Sequence, residues 1–206
     1  ARRAWSLLRS HGYDLVWIEK EALPWVPAGI ERFLLPRGVP YVLDYDDAVF
    51  HRYDLHGRAA VRRLLGRKID RIMAGATAVI VGNEYLAARA RAAGPRRVEL
   101  LPTVVDLDRY QPTATERADS ATPTVGWIGT PLTSRYLAPV LPALHRLLET
   151  TGARLHLVGA DPQLQTTDRV SVIPWTEAAE VDAIRRFSIG IMPLQDSPWE
   201  RGKCGY

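Results

Sequence analysis

Short, continuous apolar runs alternate with helical patterns along most of this 206-residue chain. A strand with one face in water alternates polar and apolar residues, whereas a continuous apolar run is typical of a parallel strand covered on both faces. The continuous runs that we interpret as strands lie at 14–18, 41–43, 78–81 and 98–101, and further strands are predicted at 123–128, 154–158, 170–173 and 188–192. The segments with a helical pattern lie at 1–9, 27–36, 57–75, 84–93, 135–150 and 177–187. This regular alternation predicts an α/β fold with parallel sheets.

A polar stretch interrupts the alternation. Residues 108–122 contain turn formers and no apolar period, so we interpret them as a linker. The linker predicts a first α/β domain at 1–107 and a second at 123–206. Because 47% of the residues are hydrophobic, the chain can build real cores.

Bulk features limit where such a chain works. No apolar run approaches the ~20 residues that span a bilayer, and the single cysteine, Cys204, excludes an internal disulfide and fits a reducing compartment. We therefore expect a cytoplasmic protein. The chain begins without Met and stops at Tyr206 just after a turn. We expect an internal piece of a longer protein, with both domains incomplete and no activity of its own.

The charge is uneven along the chain. Residues 1–111 hold 18 Lys/Arg against 13 Asp/Glu, a net charge of +5, whereas residues 112–206 hold 9 against 10. The predicted helix at 57–75 repeats arginine at four-residue intervals beside an apolar face. Such a helix can rest on an anionic membrane surface, or it can be a packed helix with a solvated face. The sequence leaves both interpretations open.

Ligands of open parallel sheets bind at the carboxyl ends of strands, so the loops there are the places to search. In the segment 124–137 an apolar strand runs into a loop at Gly129, and the loop is predicted to open a helix. Free backbone N–H groups and a helix dipole at that place would suit an anion such as a diphosphate. The glycine spacing is not the dinucleotide fingerprint, and a plain β-to-α turn is the alternative.

A second loop of interest is Asp44-Tyr-Asp-Asp47, which follows the predicted strand 41–43. Three carboxylates this close repel one another unless solvent, a cation or a positive partner relieves them. They could form a metal-binding DxD motif, the nucleophile and acid of a haloacid-dehalogenase-like phosphatase, or a set of acceptors for substrate hydroxyls. The phosphatase alternative wants Thr or Val at the place of Ala48. One of the three could also be a helix cap.

A third loop carries Lys203 between two glycines, Gly202 and Gly205. Glycines permit close approach and a flexible ammonium suits phosphate, although an exposed loop with incidental charge has the same pattern. The histidines show no metal-ligand spacing, no Ser-His-Asp arrangement can be read, and the aromatic residues show no nucleic-acid pattern. We therefore predict neither a metal site nor a nucleic-acid partner.

Taken together, these pieces resemble the GT-B glycosyltransferases of the large retaining family 4. The resemblance covers essentially the whole chain and lies in the order and the residues of several segments, not in one motif. Asp46-Asp47-Ala48 is similar to the "DDA" of a polysaccharide-biosynthesis branch. The other matching segments are Val79-Ile-Val-Gly-Asn-Glu-Tyr-Leu86, Leu100-Leu-Pro-Thr-Val-Val-Asp-Leu-Asp-Arg-Tyr110, Val125-Gly-Trp-Ile-Gly129 and the run from Ile189 to Tyr206.

The resemblance implies two Rossmann-like domains, with the acceptor on the first and a nucleotide sugar on the second. The family often carries Arg just after the loop glycine and Lys five residues later; here these places hold Thr130 and Arg135. Gly129, Thr130 and Arg135 would therefore meet the donor diphosphate. Trp175 falls where such enzymes hold the base. The first glutamate of the family's donor-sugar motif would fall near Gly202 and the second beyond Tyr206; the first is not found there, and Glu200, Gly202 and Lys203 stand near its place.

The implied reaction moves a sugar from a nucleoside-diphosphate sugar to a glycan or lipid-linked acceptor, with retained configuration and with neither metal nor cofactor. Asp46 or Asp47 would orient the acceptor hydroxyl, and the enzyme would sit in the cytoplasm or at the inner face of the membrane. Two alternatives remain open: a non-catalytic nucleotide- or carbohydrate-binding paralogue, and a metal-dependent phosphatase or transferase built on the Asp-x-Asp sequence.

Overall fold

The computed structural model of the chain describes residues 2–35, 37–111 and 122–204. It divides into two compact units. The first contains the described residues of 1–104 and of 196–206, and the second contains the described residues of 105–195. Within the described ranges, no helix has both the length and the apolar character needed to cross a membrane.

The elements follow one another as alternating helices and strands. In the first part of the chain they are α1 (Arg2–Leu8), β1 (Val16–Glu19), α2 (Ala28–Leu34), β2 (Tyr41–Tyr45), α3 (His51–Asp54), α4 (Ala59–Leu65), α5 (Lys68–Met73), β3 (Ala78–Val81), α6 (Glu84–Ala93) and β4 (Val98–Leu100). They continue as β5 (Thr124–Ile128), α7 (Leu141–Thr151), β6 (Arg154–Val158), β7 (Val170–Ile173), α8 (Glu177–Arg185), β8 (Ile189–Gly190) and α9 (Pro198–Arg201). Three short 3₁₀ helices lie at Ser10–Gly12, Thr133–Tyr136 and Pro162–Leu164.

Each unit is built on one four-stranded sheet. The strand order is β1-β2-β3-β4 in the first unit and β7-β6-β5-β8 in the second. Every neighbouring pair is parallel. The predicted α/β fold with two parallel sheets is therefore confirmed, and so is the interpretation of the continuous apolar runs as strands.

Each sheet has its own core. In the first unit Leu43, Val79 and Val81 of the sheet pack with Ile72 and Leu86 of the helices, and all five are fully buried. The core of the second unit contains Val125, Trp127, Leu137, Leu148, Leu155 and Leu157. Separate cores agree with the prediction of two domains.

The bounds of α6 agree with the predicted helix 84–93 because both of its ends are set by local chemistry. The Asn83 side chain accepts a hydrogen bond from the Leu86 N–H at 2.9 Å, which is an ordinary N-cap. Gly94 ends the helix in the left-handed region at φ 79°, where a residue without Cβ is favoured. Two strand bounds were less accurate, since β1 begins at Val16 and β8 covers only two residues.

The prediction of a single helix at 57–75 is wrong, because α4 and α5 are separate helices. The Gly66 N–H donates to the Arg62 carbonyl at 2.9 Å and closes α4. Arg67 then leaves helical geometry at φ −108° and ψ 17°. Glycine weakens a helix interior by about 1 kcal/mol relative to Ala. The next residue, Lys68, enters the core, whereas Arg67 stays exposed.

The helix predicted at 135–150 begins later than expected, at Leu141. A 3₁₀ turn at Thr133–Tyr136 takes up the first part of that segment. Pro139 and Pro142 lack the N–H groups that a helix interior requires, so a helix that started at 135 could not continue through them. Pro142 is tolerated in the first turn of α7, where the N–H groups have no intrahelical partner. The glycine loop at 129 therefore opens a short turn rather than an α-helix.

The structure divides the chain differently from the predicted domains. Residues 105–111, taken as the end of the first domain and part of the linker, belong to the second unit, where the Arg109 guanidinium donates to the Glu177 carbonyl at 2.8 Å. Residues 196–204, assigned to the second domain from the sequence, belong with the first unit. Most of the predicted linker, residues 112–121, lies outside the described residues.

Candidate functional site

The acidic loop, Asp44–Asp47, lies at the carboxyl end of β2, as the sequence predicted. Asp44 is inside the strand, and Asp46 and Asp47 follow it. Lys20 Nζ lies 2.9 Å from Asp46 Oδ1 and 3.7 Å from Asp47 Oδ2. A positive partner therefore relieves the repulsion between the carboxylates. The Asp46 side chain is 56% exposed and that of Asp47 is 20% exposed, so Asp46 is the more accessible of the two.

Lys20 is a site residue that the sequence reasoning missed. It follows β1, and its backbone has φ 62°, a left-handed conformation that L-residues rarely adopt. Its N–H donates to the Asp44 carbonyl at 2.8 Å, which ties the end of β1 to β2. Its position in a loop at the carboxyl end of a predicted strand was the one feature of the sequence that could have indicated a site residue. The sequence does not predict a positive φ at a lysine.

Burial and the charges around this loop change the pKa values of Asp44 and Lys20. Burial raises the pKa of Asp44, and the charges of Asp46 and Glu19 raise it further. Burial alone would lower the pKa of Lys20, but its hydrogen bond to Asp46 and the nearby carboxylates raise that pKa above its ordinary value. Lys20 therefore stays an ammonium while Asp44 holds a proton more readily than a free carboxyl group.

The segment 196–204 brings a second ammonium to the same loop. Lys203 Nζ lies 2.9 Å from Asp47 Oδ1. Asn83, which caps α6, also donates through Nδ2 to the Lys203 carbonyl at 3.1 Å and to the Arg201 carbonyl at 3.3 Å. The segment is thus fixed to the acidic loop by a charge and to the start of α6 by an amide.

Two glycines allow this segment to approach so closely. A Cβ added to Gly202 would lie 2.4 Å from the Ala48 Cβ, and one added to Gly82 would lie 2.3 Å from Cys204 Sγ. Any side chain at either place would push the segment away. Burial of the Cys204 thiol raises its pKa, and the charges of Asp46 and Asp47 act in the same direction. Cys204 therefore packs as a neutral thiol beside the acidic loop.

The three residues predicted to meet the donor sugar near the end of the chain all lie in the first unit. Gly202 and Lys203 contact the acidic loop, and the Glu200 carboxylate accepts a hydrogen bond from the Ser197 hydroxyl in the first turn of α9. The sequence reasoning had grouped them with the second domain. The ammonium that was expected to meet phosphate is bonded to a carboxylate that was expected to meet the acceptor.

In the second unit, the loops after three neighbouring strands meet. A Cβ added to Gly159, which has φ 72°, would lie 2.2 Å from the Gly129 carbonyl oxygen and 3.1 Å from the Trp175 Cβ. Gly129 follows β5, Gly159 follows β6 and Trp175 follows β7. The carboxyl edge of this sheet therefore brings together two residues that the sequence singled out, Gly129 and Trp175.

The backbone groups expected to cradle an anion are already used. The Gly129 N–H donates to the Val158 carbonyl at 3.0 Å, and the Thr130 N–H donates to Thr133 Oγ1 at 2.8 Å. The expectation of free N–H groups at the start of a helix is therefore wrong. The prolines after the loop prevent an α-helix from beginning there, and hydrogen bonds within the loop and to the neighbouring strand use the N–H donors.

Arg135 and Trp175 present exposed surfaces in this unit. The Arg135 guanidinium donates to the Tyr136 hydroxyl at 3.2 Å and its central carbon lies 5.0 Å from the centroid of that ring. Trp175 is 50% exposed, and its indole N–H donates to Glu180 Oε2 at 2.6 Å. Hydrogen bonds from Tyr110 and Trp175 lower the pKa of Glu180. Glu180 was not named from the sequence, although it lies in the first turn of a predicted helix.

The predicted site residues thus form two groups, one in each unit. The first contains Asp46, Asp47, Glu200, Gly202 and Lys203; the second contains Gly129, Thr130, Arg135 and Trp175. Among the residues that the structure describes, no group of three or more His, Cys, Asp or Glu side chains is arranged to hold a metal ion.

Comparisons with known proteins identify the fold. No family model matches the chain, and no curated protein matches it either. Sucrose-phosphate synthase from Thermosynechococcus elongatus is similar in structure, with a TM-score of 0.59 and 17% identity over 90% of this chain and 51% of that one. The α,α-trehalose 6-phosphate synthase from Burkholderia multivorans gives a TM-score of 0.54 and 15% identity over 95% of this chain and 54% of that one. The chain spans about half the length of these structures, and it shares with them the GT-B fold, in which each of two units is Rossmann-like.

Proposed function

We propose that this chain is part of a glycosyltransferase that moves a sugar from a nucleoside-diphosphate sugar to a glycan or lipid-linked acceptor. The observation that carries the proposal is the fold, because both similar structures are named as synthases of a disaccharide phosphate. The residues at the carboxyl edges of the two sheets supply chemistry that fits this reaction. The family 4 type, the polysaccharide branch and the retained configuration rest on the sequence resemblance.

On the acceptor side, Asp46 is the residue best suited to orient a hydroxyl. More than half of its side chain is exposed, and it keeps one carboxylate oxygen besides the one that contacts Lys20. In the reaction, the acceptor oxygen forms a bond to the anomeric carbon while the bond from that carbon to the diphosphate oxygen breaks, and the proton of the acceptor hydroxyl passes to the leaving diphosphate. A hydrogen bond to Asp46 would hold the hydroxyl for this attack. Asp47, bonded to Lys203, would fix the shape of the loop.

On the donor side, Arg135 would stabilise the negative charge that builds on the leaving diphosphate. Its guanidinium is exposed on the second unit and rests on the Tyr136 ring. Trp175 would lie against the base, with its orientation held by Glu180. We further propose that no metal ion takes part, because the Arg135 guanidinium can stabilise the charge of a diphosphate without one.

Calorimetry and transfer assays on the full-length protein test these roles separately. Arg135→Ala should weaken binding of a free nucleoside diphosphate roughly ten- to a hundredfold, since a charge-assisted hydrogen bond contributes about 1.5–3 kcal/mol. Asp46→Asn should leave that binding intact and slow transfer at least about 100-fold. Asp168→Asn removes an exposed carboxylate elsewhere on the second unit and should change neither quantity.

A panel of nucleotide sugars, with and without a chelator, separates this function from the alternatives. Transfer that survives the chelator supports the proposal. Loss of activity with the chelator, together with loss of nucleotide binding in Asp46→Asn, would favour the metal-dependent Asp-x-Asp alternative. Nucleotide binding without any donor turnover across the panel would instead indicate the non-catalytic paralogue.

A further inference from the structure

An open groove of about 700 Å³ lies among α4, α5 and α6 of the first unit. Its lining includes small residues, namely Gly66, Ala74, Ala92 and Ala93, and four arginines. None of the lining residues belongs to the acidic loop or to the segment 196–204. The groove is therefore a feature that the proposed transfer chemistry does not use.

The groove carries an excess of positive charge that its own residues do not balance. Both of its aspartates bind a single arginine: Arg89 lies 2.6 Å from Asp70 Oδ1 and 3.0 Å from Asp54 Oδ2. The remaining arginines are Arg62, Arg67 and Arg71. Four arginines against two aspartates give the lining a formal net charge of +2.

Two of these arginines have no intramolecular partner in the part of the chain that the structure describes. Arg62 donates to the backbone carbonyls of His56 and Gly57 at 2.7 and 3.0 Å, so its direction is fixed while its charge stays uncompensated. Arg67 and Arg71, both exposed, make no side-chain hydrogen bond or ion pair with the described residues. Guanidinium groups of several arginines around one groove are typical of sites that recognise phosphate.

The helix break makes this arrangement. If 57–75 were one helix, Arg67 and Lys68 would continue its turns; instead Gly66 ends α4 and Arg67 has non-helical backbone angles before α5 begins. A Cβ at Gly66 would lie 2.3 Å from the Arg62 carbonyl oxygen, so this close turn requires glycine. The break thus presents arginines from both helices at one groove.

Exposed apolar side chains also occur in this part of the first unit, outside the groove. Leu64 of α4 is 70% exposed and Leu55, just after α3, is 56% exposed, and neither lines the groove. Surfaces that lie on anionic bilayers combine cations that meet lipid phosphates with apolar side chains that enter the interface. The segment from Leu55 to Arg71 exposes both kinds of side chain.

We propose that the α4–α5–α6 groove is a docking site for the phosphate groups of an anionic phospholipid surface, with Arg62, Arg67 and Arg71 as its donors. This site would hold the first unit at a membrane whether or not the protein transfers sugar. It also gives a defined location to the membrane contact that the sequence left open as one of two interpretations of the basic segment 57–75.

Vesicle sedimentation of the full-length protein tests the site. The protein should bind vesicles of phosphatidylglycerol in phosphatidylcholine, bind pure phosphatidylcholine much more weakly, and dissociate at high salt. Arg67→Gln with Arg71→Gln should lower the partition coefficient about 30-fold, given the usual contribution of each basic residue near an anionic surface. Arg146→Gln with Arg186→Gln removes two exposed charges from the second unit and should leave partitioning within about twofold of the unchanged protein.

Several results would overturn the proposal. Equal binding to neutral and anionic vesicles would remove the role of phosphate, and an equal loss in both double variants would mean that only net charge matters. Calorimetric binding of inorganic phosphate that depends on Arg67 and Arg71 and displaces the protein from vesicles would assign the groove to a small anion. Equally strong binding of single-stranded DNA would indicate a general polyanion surface. Because both substituted arginines are exposed, circular dichroism should show unchanged folding.

Discussion

Lys68→Met should destabilise the first unit strongly, because it removes the only cation buried beside two carboxylates in the described part of the chain. The side chains of Lys68, Glu21 and Glu31 are 0%, 3% and 0% exposed. Lys68 Nζ donates to Glu21 and, at 2.6 Å, to the Leu23 carbonyl, and it lies 3.2 Å from Glu31 Oε2 as an ion pair without hydrogen-bond alignment. Both carboxylates would lose this cation.

The expected loss of stability depends on the contacts that Glu21 and Glu31 keep in Lys68→Met. Removing one partner of a buried ion pair costs about 3–5 kcal/mol, because the charge left behind has neither water nor a counterion. Methionine is close to lysine in length and volume, so a cavity adds little. Arg52 still donates to Glu21 Oε1 at 2.9 Å, whereas Glu31 keeps, among the described residues, only the hydrogen bond from the Ala22 N–H at 2.9 Å. We therefore expect a loss of about 3–5 kcal/mol, a large part of the stability of an ordinary domain.

Hydrogen exchange is the suitable measurement, since the chain has two units and need not unfold in one step. The amides of Leu43 and Val79, in the buried sheet of the first unit, would report its opening free energy in increasing urea. Arg71→Met, an exposed change in the same helix as Lys68, should alter that free energy by less than about 0.5 kcal/mol. The triple variant Lys68→Met, Glu21→Gln, Glu31→Gln should recover more than half of the loss, because no buried charge remains.

Two results would refute this reasoning. A loss below about 1 kcal/mol for Lys68→Met would mean that water or another side chain compensates the carboxylates. A triple variant no more stable than the single variant would mean that packing, not charge, explains the loss. The outcome also bears on the site, because Glu21 follows Lys20 directly and anchors the loop that brings Lys20 to Asp46.

Three further predictions concern single residues of the first unit. Burial raises the pKa of Tyr41 from its ordinary value of 10.0 to about 12, so the folded protein binds this proton more tightly than the unfolded chain does. Stability should therefore be intact below pH 10 and fall as the pH rises towards 12, and it should fall less in Tyr41→Phe, as alkaline urea titrations would show. Gly82→Ala places a Cβ 2.3 Å from Cys204 Sγ and should speed tryptic cleavage after Arg201, whereas Gly57→Ala, with nothing within 4 Å, should not. Asn83→Ala removes the cap of α6 and should cost about 1 kcal/mol, measured by exchange of the α6 amides; no change would contradict the cap.

The sequence predicted the sheets well because the signal for a covered parallel strand is local. The run 78–81 is apolar throughout and became β3 without a shift, and the predicted bounds 154–158 and 170–173 are also those of β6 and β7. The α6 bounds were equally readable, since Asn83 and Gly94 determine them through neighbours only a few residues away. These features need no knowledge of distant partners.

Burial of a charge could not be read in the same way. Lys68 stands in a basic stretch beside Arg67 and Arg71, and the sequence gives no reason to separate it from them. Its partners, Glu21 and Glu31, come from the β1–α2 loop and from α2, far away along the chain. The break between α4 and α5 belongs to the same problem, because the position that turns inward is chosen by those distant carboxylates and not by the helical pattern.

For the candidate site, the sequence found carboxylates and glycines but not their counterions or their hydrogen bonds. Asp46 and Asp47 follow a recognisable strand, whereas Lys20 required a left-handed backbone that only the structure reveals. The Gly129 loop looked open, yet its N–H meets the Val158 carbonyl of the neighbouring strand. A cross-strand hydrogen bond depends on register, and register between β5 and β6 is not encoded in either segment alone.

The structure also separates two aspartates that the sequence treated as equivalent. Asp47 lies between two ammonium groups, 2.9 Å from Lys203 and 3.7 Å from Lys20, and only a fifth of its side chain is exposed. Asp46 contacts Lys20 alone among the described cations and is more than half exposed. A carboxylate held by two cations is well placed to maintain a loop and poorly placed to accept another donor. The difference favours Asp46 as the partner of an incoming hydroxyl and Asp47 as the residue that joins the loop to the segment 196–204.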